Sequence, residues 1–133
     1  MKGELRALLA RAEEKLRAAR LLLEGGAWGD AASRSYYAAF HAVSAVLLSR
    51  GESYSTHAQV LGRFNKEFIQ TGIFPREFTK LLTRLFEDRQ SGDYDVEPGL
   101  TETEARQDVA DGERIVVAVR QFLESTEKDR HAE

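Results

Sequence analysis

Apolar residues recur every third or fourth position through most of this chain, and no alternating run is long enough for a sheet. Leu5, Leu8, Leu9, Ala12, Leu16, Ala19 and Leu23 draw one stripe along a first helix, which Gly25 and Gly26 stop. A second helix runs from about Trp28 or Asp30 to Arg50 and ends at Gly51. It is apolar on most sides, as expected of a helix enclosed by others or covered by a second subunit. The short link between these two helices makes them antiparallel neighbours. Thr56 and Gln59 have the spacing of a capping box, opening a shorter third helix whose apolar face is Val60, Leu61, Phe64 and Phe68. Pro75 suits the first turn of a fourth helix, buried through Phe78, Leu81, Leu82, Leu85 and Phe86. "DRQSGDYDVEPG" reads as an irregular loop, and Thr101 with Glu104 repeats the capping-box signature at the start of a last helix. That helix buries Ala105, Val109, Val116, Val119 and Leu123.

The fold class is therefore all-α: an antiparallel up-and-down helical bundle of four long helices plus one shorter helix. With 133 residues there is room for one core, so residues 1–126 are assigned to a single domain and 127–133 to a polar tail that frays.

Composition narrows the chemistry. The absence of cysteine excludes disulfides, thiol nucleophiles and thiolate metal sites. His41, His57 and His131 are too far apart for a metal motif, so neither metal nor cofactor is expected. A formal net charge of −3 shows no basic excess of the kind that signals nucleic-acid binding, DNA included, yet it leaves room for a local basic groove. The N-terminal segment lacks the apolar core of a signal peptide. Arg34, His41 and several serines argue against a membrane span in the second helix. A soluble, cytoplasmic protein is the expectation.

Two polar groups inside the most apolar stretch, "SRSYYAAFHAVSAVLL", carry the candidate chemistry. Arg34 and His41 are seven apart, which returns within about 20° of the same direction on a helix. Tyr37 lies between them and Asp30 one turn before, so Asp30, Arg34, Tyr37 and His41 can form a polar seam. Such a seam serves either as a satisfied network that fixes helix register or as a ligand-binding or catalytic site. A third reading puts these groups on a more exposed helix face. Tyr36 and Phe40 read as core. Arg89 continues the buried stripe of the fourth helix and calls for a carboxylate partner, Asp93 or Asp95. His57 falls in the first turn of the third helix, where the positive end of the dipole favours a neutral imidazole.

Taken in order, "AASRSYYAAFHAVSAVLLSRG", "THAQVLGRFNKEFIQTG" and "LFEDRQSGDYD" resemble the HEPN domain (higher eukaryotes and prokaryotes nucleotide-binding), in particular its small stand-alone prokaryotic members. The resemblance spans about residues 5–125 and implies an antiparallel helical bundle, usually a homodimer. Many small members of that family act with a separately encoded minimal nucleotidyltransferase as a toxin–antitoxin-like pair. Others are metal-independent endoribonucleases with an arginine, four to six residues, then a histidine, paired at a dimer interface. In such a site the imidazole handles the ribose hydroxyl proton and the guanidinium stabilises phosphate charge.

Many ribonuclease members carry the motif where Arg89 lies here, but this chain follows Arg89 with "QSGDYD", offering Asp93 and Tyr94 and no histidine. A carboxylate does not replace an imidazole near neutral pH without a large pKa shift. The leading expectation is thus a nucleotide-, RNA- or partner-binding component, presenting Arg34, Tyr37 and His41 with Arg89 and Tyr94. The first alternative is an endoribonuclease using Arg34 and His41, or Arg89 with a histidine from a second subunit. The second is a non-catalytic oligomerisation module.

Overall fold

The computed structural model describes residues 3–94 and 99–132, with side chains over 3–91 and 99–129. Five helices follow in order: α1 (Gly3–Glu24), α2 (Trp28–Leu48), α3 (His57–Phe64), α4 (Glu77–Tyr94) and α5 (Glu102–Ala132). Among the described residues there is no strand. α1 buries Leu9, Ala12, Leu16 and Ala19, one per turn, against α2. Gly26 closes the α1–α2 turn at φ +80°, a conformation that any side chain would strain.

The middle of the bundle is α2, packed on α1, α5, α4 and α3. Its buried positions are largely small: Ala31, Ala32, Ser35, Ala38, Ala39, Ala42 and Ala45, with Tyr36, Val43, Val46 and Leu47 filling the gaps between helices. The all-round apolarity of this helix is accounted for within one chain. At the tightest α2–α5 approach, a Cβ added to Gly112 would meet the Ser35 carbonyl oxygen at 3.0 Å. A second aromatic cluster of Phe64, Phe68, Phe74, Phe78 and Phe122 completes the core.

Local signals set the helix ends. Thr56 accepts from the Gln59 backbone N–H at 3.2 Å and starts α3. Behind α3 the chain widens into a π-helical turn over Asn65–Ile69, which buries both Phe68 and Ile69. Pro75 lies just ahead of α4, its carbonyl accepting from Phe78 N–H at 3.0 Å. At the start of α5 the capping box is complete: Thr101 Oγ1 accepts from Glu104 N–H at 3.1 Å, and the Glu104 carboxylate accepts from Thr101 N–H at 3.0 Å.

Two stretches differ from the sequence reading. The segment from Asp88 to Tyr94, expected as loop, is the last part of α4. One glycine costs a helix only about 1 kcal/mol, and contacts of Arg84 and Arg89 to the neighbouring helices outweigh that. The polar tail continues α5 through Ala132, because "STEKDRHA" contains no glycine or proline to stop it.

Candidate functional site

On the side facing α3 and α4, α2 offers aromatic surface over little more than one turn. Tyr36 is fully buried, while Tyr37 and Phe40 are half-buried. His57, the first residue of α3, lies nearly parallel to Phe40, with ring centroids 4.4 Å apart, and parallel to Tyr36 at 5.5 Å. Its Nδ1 is hydrogen-bonded to the Tyr36 hydroxyl. From α4, the Arg89 guanidinium sits over the rings of Phe86 (5.0 Å), Tyr36 (5.3 Å) and Tyr37 (5.9 Å). Such cation–ring contacts are worth about 0.5–2 kcal/mol each, more when water is excluded.

The surroundings set the protonation states. Burial pushes the Tyr36 phenol up to about 12, although Arg89 pulls the other way, so the hydroxyl keeps its proton. His57 is lowered from its ordinary value, first by partial burial and then by Arg89. At neutral pH the ring is therefore neutral, and its tautomer follows from the phenol. A fully buried O–H must be donated to something, and the partner of the Tyr36 hydroxyl among the described residues is His57 Nδ1. With Nδ1 accepting, the imidazole proton resides on Nε2. Next to the Arg89 guanidinium the site thus adds a second N–H donor, a combination suited to phosphate oxygens.

The remaining candidates are distributed around this ledge. Tyr37 belongs to it, edge-on to Tyr36 at 5.4 Å and under Arg89. His41 is half-buried one turn further along α2, edge-on to Phe40 at 6.3 Å. Its basicity is depressed by burial and then by Arg11 and Lys15 of α1. Asp30 and Arg34 are exposed, so Arg34 keeps its hydration and needs no buried counter-ion. Asp93 and Tyr94 fall on the last turn of α4, with side chains outside the described residues, as is Asp95 altogether. Among the described residues no group of three or more His, Cys, Asp or Glu is arranged to hold a metal, and no helix is long and apolar enough to cross a membrane.

Sequence reasoning overlooked two features. Tyr36 counted as core, yet tyrosine rather than phenylalanine at a buried position already demands a partner for the hydroxyl. The other is a polar brace between α4 and α5. Arg84 is paired with Asp111, which also accepts from Gln107 at 2.9 Å. Beside them Asp108 is completely buried opposite Asp88, and its carboxyl is pushed up to about 9, by burial first and by Asp88 second. This brace holds the turn of α4 that carries Arg89.

Comparison with known proteins places these features in context. A family model described as "HEPN domain" matches residues 5–125. A UPF0332 protein of Thermotoga maritima is 37% identical over 118 residues, covering 89% of each chain. A protein of Methanocaldococcus jannaschii whose name makes it a toxin candidate is 32% identical over 123 residues, covering 92% of this chain and 91% of its own. The crystal structure of TT1696 from Thermus thermophilus superposes with a TM-score of 0.76 over 90% of this chain and 98% of that one, at 19% identity. That last likeness speaks for the fold alone.

Proposed function

The chain belongs to the HEPN domain family, and on that premise we propose that it is the nucleotide- or RNA-binding component of a toxin–antitoxin-like pair, acting with a separate minimal nucleotidyltransferase. The observation that carries this reading is the joint placement of Arg89 and His57 on the ledge of Tyr36, Tyr37 and Phe40. Two N–H donors of different helices stand against the same aromatic surface, the combination that takes a phosphate and an adjoining base. Two relatives named as toxin candidates support the pairing with a partner.

The tautomer favours binding over cutting. A general base needs a free ring nitrogen, and here Nδ1 is engaged by Tyr36 while Nε2 carries the proton. The metal-independent endoribonuclease is the second reading, and one observation favours it: His57 supplies, from α3, an imidazole beside Arg89 that the segment after Arg89 lacks. Arg34 and His41 support that reading less, because Arg34 is exposed and His41 is turned towards Arg11 and Lys15.

Incubation of the purified chain with labelled single-stranded RNA in EDTA tests both. The expected result is retention of intact RNA, weakened at least tenfold by Arg89→Ala, together with recovery of a nucleotidyltransferase in a pull-down from the native host. Cleavage that disappears in His57→Ala would replace the binding reading with the ribonuclease. Failure to retain either RNA or nucleotide would remove both. The homodimer that family resemblance implies is part of the proposal, and sedimentation at micromolar concentration showing monomer alone would remove it.

A further inference from the structure

Arg11, Lys15, Arg34 and His41 share a face that the brace and the aromatic ledge leave untouched. The short turn at 25–27 runs α1 back along α2, which brings Arg11 and Lys15 alongside His41, close enough that both depress its basicity. Of the other charges of α1, Glu13 is paired with Arg120 at 2.6 Å and Arg20 with Glu113 at 2.9 Å, both on the α5 side, while Glu14, exposed and three residues after Arg11, forms no ion pair among the described residues. Among the described residues, Arg11, Lys15 and Arg34 form no ion pair. Arg11 and Arg34 are exposed and Lys15 half-buried. The exposed carboxylate on this stripe of α2 is Asp30, one turn beyond Arg34, which bounds the cationic stretch at that end.

Structural charges on a helix surface are usually offset by partners at one-turn spacing, and like charges left together are mildly destabilising. A group of cations that form no ion pair among the described residues, in a chain of net charge −3, therefore points outward, to an anion. From Arg34 to His41 the face extends about 10 Å along α2, more than one phosphate group occupies. Tyr37, half-buried, separates this cluster from Arg89 and His57. Cation, accessible ring, cation is the order found along single-stranded nucleic-acid grooves, where bases stack while the backbone follows the charges. An acidic protein surface would use the cations but give the ring no role.

We infer that the α1–α2 face is a second phosphate subsite, so that the ligand is a single-stranded RNA running from Arg89 and His57 across Tyr37 to Arg11, Lys15 and Arg34, rather than a mononucleotide. This rests on the reading of the Arg89 site given above. The extended path has one consequence a single-phosphate site lacks: affinity rises with strand length and falls steeply with salt.

The test measures binding of a fluorescein-labelled oligouridylate of about twelve nucleotides to the full chain in EDTA, from about 50 to about 200 mM salt, with uridine monophosphate as competitor. In the double variant Arg11→Gln/Lys15→Gln, oligonucleotide binding should weaken at least about tenfold at low salt. The slope of log affinity against log salt should become shallower by about 1.4, two phosphate contacts at ~0.7 each. Circular dichroism should remain unchanged, as should the affinity of uridine monophosphate. Oligonucleotide affinity and salt slope equal to wild type would overturn the inference. If Arg89→Ala abolishes binding while the double variant is neutral, the second subsite falls and the first stands. If wild type binds neither probe, both fall. Polyglutamate competing as well as RNA, and through the same two residues, would overturn the RNA assignment in favour of an acidic protein partner.

Discussion

Replacing Asp108 with asparagine should make this protein more stable, and increasingly so as pH rises. Asp108 is completely buried, and neither of its oxygens finds a hydrogen-bond donor among the described residues. Two carboxylates facing each other have no hydrogen to share. With one proton between them, Asp108 becomes a neutral acid that donates to Asp88, and its pKa rises from 3.8 to about 9. Between those values the folded chain holds a proton that the unfolded chain has released. The contribution of this group is thus fully present below the unfolded value and is lost as pH climbs towards the folded one, by about 1.4 kcal/mol per unit. From 3.8 to pH 7 the loss amounts to about 4 kcal/mol. Asparagine matches the shape of the neutral acid, donates an N–H to Asp88 and does not titrate. Urea denaturation of Asp108→Asn and wild type should show a gap of about 1–2 kcal/mol near pH 5 that widens to as much as about 4 kcal/mol near pH 7. A gap independent of pH would refute the shared proton, and so would an asparagine variant less stable than wild type at both pH values.

Three further outcomes follow from the geometry. In Arg89→Gln, the His57 pKa measured by NMR should rise towards its ordinary value without reaching it, because Arg89 is the lesser cause of its depression and burial the greater; an unchanged titration would separate the two groups. Gly112→Ala should destabilise the chain by about 1–3 kcal/mol, since its Cβ meets the Ser35 carbonyl oxygen at 3.0 Å, and thermal unfolding at the wild-type midpoint would show that α2 and α5 can move apart freely. Thr101→Ala removes one half of the α5 capping box and should cost about 1 kcal/mol, read as a lower urea midpoint with unchanged slope.

Periodicity was a sound guide wherever one face alone decides burial. The stripe of Leu9, Ala12, Leu16 and Ala19 is visible in the sequence because one face of α1 turns to the neighbouring helices and the other to solvent. The end of α4 was not visible, because Gly92 and Asp93 look like a break locally while the contacts that sustain the helix come from α5 and α2. The same distinction holds for the site. Arg89 and His57 could each be singled out as polar groups on apolar faces, but the three rings under the arginine come from two helices and no local spacing shows them, while its expected carboxylate partners, Asp93 and Asp95, have side chains outside the described residues. The His57–Tyr36 bond joins residues 21 apart across the α2–α3 connection, beyond any helical repeat. Asp30 and Arg34 do share the direction of Tyr37 and His41, yet that direction lies at the rim of the bundle, where one more turn separates a half-buried side chain from an exposed one.

The alanines of α2 have a consequence for how freely this chain can change. Four helices close on one rod whose inward positions have almost no side-chain volume to give up, and a single added methyl on the facing glycine already collides. In a saturation scan, substitutions at Ala31, Ala38, Ala39, Ala42 and Ala45 should be purged for bulk, whatever their chemistry. Arg34 and Arg11, on the outside, should accept most replacements that keep the chain folded. The segment that makes this protein recognisable is therefore governed by space, and the residues free to diverge are those that would decide what it holds.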